Sequence, residues 1–334
     1  MSAPTPRAWL PPLDEVLAAA RIVAIPTRTR FRGIAVREAA VFAGAHGATE
    51  FSPFPEYDDA EASAWLAAAL DFGWAPQPQA LRDRIEVNAT VPAVPAREVQ
   101  TILARFPGCR TAKVKVAERG QTLADDVARV RAVREAMGDG ARVRIDANGG
   151  WSVDAAARAL LALADVDLDY AEQPCATVPE LVELRERATG VRIAADESVR
   201  KAADPLAVAR SGAADLLVVK AQPLGGVRAA LGIVAEAGLP VVVSSALDTS
   251  VGIAMGLRLA AALPDGALAG ACGLGTVALL DGDVTTDPLV PDAGAIDVRR
   301  PALDARLVER FGADPERDAW WRERIARCYA RLAG

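Results

Sequence analysis

The sequence contains a single histidine, His46, and that scarcity removes whole classes of chemistry. A multi-histidine zinc site is excluded, and a Ser-His-Asp triad would have to be built around this one residue. Cysteine is nearly as sparse. Cys109, Cys175, Cys272 and Cys328 are widely separated and form no CxxC pair, the pattern of reduced thiols in a cytoplasmic protein. No stretch reaches about 18 uninterrupted apolar residues, so no transmembrane helix is expected. Residues 1–13 are proline-rich and lack the basic-then-apolar order of a secretory signal. Neither GxGxxG after a first strand nor GxxxxGKS/T is present, so nucleotide-binding folds lack their fingerprints. A net charge of −6 argues against a nucleic-acid or anionic-membrane surface. Acid–base chemistry must therefore fall on carboxylates, lysines, tyrosines or cysteines.

What is present is a chain of 334 residues, long enough for a barrel of roughly 200–250 residues and a smaller domain. With 51% apolar and 25% charged residues, the balance is that of a globular protein rather than a disordered one. From residue 85 onward, short β-branched runs alternate with amphipathic helical stretches. The runs fall at 85–94, 113–116, 142–148, 169–174, 192–198, 216–220, 240–248 and, more weakly, 270–275. Seven or eight strand–helix units with short connections predict a parallel α/β barrel. Residues 1–84 differ: strands at 22–26 and 35–43 are joined by the basic connection 27–33, followed by an alanine-rich helix at 59–70. A C-terminal helix is expected from Asp314, as N-cap, and Pro315, with an apolar stripe of Trp321, Ile325, Cys328 and Leu332.

The ionisable residues recur with the strands. Lys115, Asp146, Glu172, Asp196 and Lys220 stand near the ends of five successive runs, 31, 26, 24 and 24 residues apart. Barrel sites gather at the C-terminal mouth of the strands, so these side chains are expected to converge. Three carboxylates without histidine or thiolate are hard oxygen ligands suited to Mg²⁺ or Mn²⁺. A cation and a second ammonium nearby lower a lysine pKa toward that of a general base. Lys113 lies two residues from Lys115 and so shares its strand face. Such a site fits removal of a proton next to a carboxylate, where the charge to be stabilised grows only as the proton leaves.

The ordered motifs KVK, DAN, EQP, DES and VVK, one per unit, resemble the enolase superfamily and its muconate-lactonizing-enzyme-like branch. The resemblance implies a modified TIM barrel, (β/α)7β, over 85–289. It also implies an α+β capping domain over 1–84, completed by 290–334. It makes Asp146, Glu172 and Asp196 the metal ligands, Lys115 the base, Lys113 the tuner of Lys115, and Lys220 the cation on the opposite face. Asn148 and Glu197 become their supporting partners. Within the branch, the segments around Ser244, Ser245, Gly273 and Leu274 and the short cap resemble the o-succinylbenzoate synthase family. That implies Mg²⁺-dependent syn-dehydration of 2-succinyl-6-hydroxy-2,4-cyclohexadiene-1-carboxylate, a small dicarboxylate, to 2-succinylbenzoate in menaquinone biosynthesis. Ser244, Ser245, Gly273 and Leu274 would contact the succinyl arm, with backbone N–H groups binding its carboxylate, and Arg32 of the basic cap segment would close over the substrate. Phe51 and Phe54 would form an apolar wall. The rival within the same architecture is an N-acylamino acid racemase or dipeptide epimerase using both lysines. A muconate cycloisomerase and a catalytically inert binding barrel are more remote readings. Either a monomer or a homo-oligomer is compatible with the sequence.

Overall fold

The computed structural model describes residues 10–31, 33–187, 190–200 and 205–334. After helix α1 (Leu13–Ala19), three antiparallel strands follow: β1 (Ala20–Phe31), β2 (Ile34–Gly44) and β3 (Gly47–Phe51). The basic segment expected as a connection is mostly strand. Thr27 and Thr29 are β-branched and sit above the exposed Arg28 and Arg30 in a two-residue alternation, which keeps the backbone extended. The ladder breaks its register between Pro26 and Phe31, next to a residue with no N–H to donate. Gly33, at φ +81°, then makes the tight turn that lets Phe31 pair with Ile34. Helix α2 (Asp59–Trp74) is capped by Asp58, which accepts from the Glu61 amide, and runs one turn beyond the expected end.

The expected 85–94 run divides in two. Strand β4 (Arg84–Glu86) turns away from the barrel, and β5 (Ala89–Val91) begins it. Six parallel strands follow: β6 (Thr111–Lys115), β7 (Arg142–Asp146), β8 (Leu168–Glu172), β9 (Ile193–Ala195), β10 (Leu216–Val219) and β11 (Val241–Val243). They are hydrogen-bonded in sequence order, each joined to the next by the long crossover that parallel pairing needs. Segment 268–273 closes the circle. It bridges Val241 and Ser244 on one side and Val87 on the other, with the Cys272 amide on Glu86 O and the Asn88 amide on Cys272 O. The barrel is thus α/β with seven regular parallel strands and an irregular eighth position. Val, Ile, Leu and Ala from the strands and their helices fill the main core, and Tyr170, Ala194, Leu216, Val218 and Val242 form a smaller one. Among the described residues, no helix is long and apolar enough to cross a membrane.

Beyond the barrel, residues 295–297 pair antiparallel with β4. The last helix (Pro315–Ala333) is capped by Asp314 with Pro315 in its first turn, as the sequence predicts. Its stripe does not face solvent. Trp321, Ile325 and Cys328 pack with Phe42, Phe51, Trp65 and Leu66 in a second core under the antiparallel sheet. A buried polar cluster joins this cap to the barrel. Glu50 Oε2 accepts from the Thr249 amide and hydroxyl, and Glu50 Oε1 from the Ser52 hydroxyl. Arg37 donates to Leu247 O and Ser52 O and lies 3.8 Å from Asp248, while Gln222 bonds Ser52 from the barrel side.

Candidate active site

Strand register brings the five motifs together. Lys115 is paired with Asp146, and Asp146 with Glu172, so their side chains share the inner face at the C-terminal ends of β6, β7 and β8. Asp196 and Lys220 follow the last residues of β9 and β10. Asp146, Glu172 and Asp196 are each 1% exposed, and the three lysines are also buried. Lys113 Nζ donates to both Glu172 oxygens at 2.8 and 2.9 Å and lies 3.1 Å from Asp146 Oδ2. Lys115 Nζ donates to Asp146 Oδ2 at 2.5 Å and Asn148 Oδ1 at 2.7 Å. Lys220 donates to Asp196 Oδ2. The two outer lysines therefore stand on opposite flanks of a row of carboxylates.

Burial and charge pull these groups in different directions. Burial alone would raise the Asp146 carboxyl, but the ammoniums of Lys115 and Lys113 outweigh it and hold it well below the usual range. Asp196 is likewise depressed, burial being overcome by Lys220 and Arg200. Glu172 goes the other way: burial and the neighbouring Asp146 charge push it up to about 7. Burial would lower Lys113, yet the charges of Glu172 and Asp146 keep it firmly cationic. On the opposite flank burial prevails, and the Lys220 ammonium is lowered despite Asp196.

The remaining predicted residues are placed unevenly. Asn148 takes Lys115 on its oxygen and donates from Nδ2 to Glu197 at 3.2 Å, so both supporting residues lie in one chain of contacts. Asn148 adopts φ +47°, a left-handed turn that asparagine tolerates better than most side chains. Ser244, Ser245 and Gly273 line the cavity together with Phe31, Thr90, Thr276 and the lysines. Ser244 and Gly273 bridge adjacent strand positions, and a Cβ on Gly273 would come 2.6 Å from Ser244 Oγ. Leu274 is outside this lining: its side chain is fully buried against Gly256. Arg32 lies outside the described residues. Phe51 belongs to the cap core, and Phe54 packs beneath Arg37.

Some contributors were not anticipated. The Phe31 ring sits 5.5 Å from Lys115 Nζ. Gln173, in the EQP motif, accepts the Asp196 and Ser198 amides and so fixes the turn that presents Asp196. Arg200 bonds both Asp196 and Glu197. Its spacing of four residues from Asp196 is a signal the sequence did carry, since such pairs meet on one helical face.

Asp146, Glu172 and Asp196 could hold a divalent metal. Among the described residues no three acidic, thiol or imidazole groups are drawn into a closed ligand cluster, because ammoniums stand between the carboxylates. The donor chemistry fits nonetheless. All three are buried carboxylates, and the raised Glu172 marks a third negative charge held against a cost that an added cation would relieve.

Fold and site together define a class: a metal-assisted barrel of the enolase superfamily. Residues 22–73 match the family model "Enolase N-terminal domain-like" and residues 96–302 match "Enolase C-terminal domain-like". The fold is similar to muconate lactonizing enzyme from Pseudomonas fluorescens (TM-score 0.73, 20% identity, covering 88% of this chain and 98% of that one). It is also similar to the L-Ala-D/L-Glu epimerase from Bacillus subtilis (TM-score 0.72, 22% identity, covering 85% and 96%). Curated relatives are closer in sequence. The o-succinylbenzoate synthase of Mycobacterium tuberculosis is 54% identical over 97% of both chains. That of Mycolicibacterium smegmatis is 55% identical over 97% of this chain and 99% of its own. The chain belongs to the o-succinylbenzoate synthase family of the enolase superfamily.

Proposed function

We propose that this chain is a hydro-lyase that converts 2-succinyl-6-hydroxy-2,4-cyclohexadiene-1-carboxylate to 2-succinylbenzoate, with Lys115 as its acid–base residue. The observation that carries the assignment of roles is the placement of Lys115 and Lys220 on opposite flanks of three buried carboxylates. Asp146, Glu172 and Asp196 would hold Mg²⁺, with Mn²⁺ as the alternative. When bound, that cation supplies positive charge to the substrate carboxylate as negative charge develops on it.

Lys115, as the free amine, takes the ring proton beside the carboxylate. The C–H electron pair moves into the ring and the bond to the departing hydroxyl breaks on the same face. The Lys115 ammonium then gives its proton to that hydroxyl, so water leaves and the amine is restored. Lys113, held cationic between Glu172 and Asp146, keeps a positive charge beside Lys115. Lys220 serves as a cation over the ring as it becomes aromatic. Asn148 orients the Lys115 amine, and Glu197 orients Asn148. Ser244, Ser245 and Gly273 border the space assigned to the succinyl arm.

An epimerase would need an acidic group to hold a peptide amine. Asp248, which follows β11, is buried and faces the Arg37 guanidinium. We further assign residues 1–84 and 290–334 to the cap and 85–289 to the barrel, and the protein to the cytoplasm. The function is tested by assaying 2-succinylbenzoate formation alongside α-proton exchange of N-acylamino acids in D₂O. Product formation well above any exchange supports the dehydratase. Exchange without product would replace it with the racemase reading.

A further inference from the structure

Arg200 closes the short helix Glu197–Arg200, and its side chain is only 3% exposed. Three different acceptors meet its guanidinium. Nε donates to Asp196 Oδ1 at 3.1 Å, one terminal nitrogen to Glu197 Oε1 at 2.6 Å, and the other to the Tyr57 hydroxyl at 3.1 Å. Two of these partners lead to lysines. The second oxygen of Asp196 receives Lys220, while Glu197 accepts from Asn148, whose oxygen receives Lys115. The third partner belongs to the cap. Tyr57 ends the loop that leaves β3, its ring stands edge-on to Phe54 at 5.6 Å, and its carbonyl accepts from Arg324 of the C-terminal helix at 2.5 Å.

We infer that Arg200 is a positioning residue that couples seating of the cap loop around Tyr57 to the placement of Asp196 and of both flanking lysines. A planar fork of five donors can satisfy three acceptors lying in different directions, whereas an ammonium at the end of a flexible stem cannot hold the same three. Charge alone would neutralise Asp196 and Glu197. The reach to Tyr57 adds the link to the cap. Substrate that seats the cap therefore also fixes the carboxylate and the Asn148–Lys115 contact.

The inference rests on the dehydratase reading, so the test separates the two. Mg²⁺ affinity by calorimetry and steady-state kinetics are measured for wild type, Arg200→Lys, Tyr57→Phe and the double variant. Arg200→Lys is expected to weaken Mg²⁺ binding and lower kcat, each by about 10–100-fold, the usual effect of losing a ligand's support. Tyr57→Phe is expected to raise KM about two- to tenfold, the worth of one hydrogen bond, and to lower kcat by less than Arg200→Lys does, with Mg²⁺ affinity measured without substrate unchanged. In the double variant the Tyr57 effect on KM disappears. Unchanged Mg²⁺ affinity in Arg200→Lys, or independent effects on KM in the double variant, overturns the coupling. If Arg200→Lys does not fold, Glu197→Gln combined with Tyr57→Phe takes its place under the same criteria. Wild type that binds Mg²⁺ but forms no product defeats the dehydratase reading alone, and the affinity comparison still decides the role of Arg200.

Discussion

Lys113 and Lys115 are two residues apart on one strand face, yet their partners divide them. Both line the cavity and both touch Asp146 Oδ2, but Lys113 is clamped by the two Glu172 oxygens, while Lys115 is held by Asn148 and lies beside the Phe31 ring. Lys115 is the residue proposed to handle the proton. Lys115→Ala is expected to lower kcat by about 10²–10⁴, the usual worth of a general base, while Mg²⁺ still stabilises the variant; steady-state assay and thermal melting check both. Lys220→Arg keeps a cation but not its position, so measurable dehydration should survive in the product assay. One-directional α-proton exchange, if wild type shows any, should vanish. These five residues were legible because each strand-end position recurs once per unit and parallel register does the rest. The Arg200–Tyr57 contact was not, because it depends on how a cap loop and a four-residue helix approach one another. Leu274 is expected to contact the substrate through its backbone N–H, and its side chain lies in the core.

At the scale of elements, the alternation from residue 85 onward predicted the barrel strands closely. Two departures have local causes. Strand β1 continues through the basic segment because β-branched threonines alternate with solvated arginines. The 85–94 run splits because β4 finds an antiparallel partner at 295–297, a pairing more than 200 residues distant that periodicity cannot announce. The C-terminal stripe packs into the cap core. The cap–barrel joint carries its own pH signature. Burial and the Asp248 charge push Glu50 up to about 7, and Arg37, Ser52 and Thr249 face it without reversing that. A carboxyl raised this way binds more protons folded than unfolded. Its contribution is therefore fully present below about pH 4.5 and is lost as pH rises toward about 7. Glu50→Gln should flatten that part of the decline in melting temperature between pH 5 and 8, measured with Mg²⁺ present. An unchanged slope would remove Glu50 from the explanation.

For the whole molecule, the cation proposed for Asp146, Glu172 and Asp196 should also stabilise the fold. At a hundredfold excess over Kd, Mg²⁺ should add about 2.7 kcal/mol, seen as a rise in melting temperature that EDTA reverses. The most direct test of the central claim is 2-succinylbenzoate formation from the cyclohexadiene carboxylate by one preparation, first metal-loaded, then treated with EDTA, then given Mg²⁺ again. The account predicts product with metal, loss with EDTA and recovery on Mg²⁺ return. Absence of product from folded, Mg²⁺-loaded protein, or undiminished product in EDTA, would contradict it.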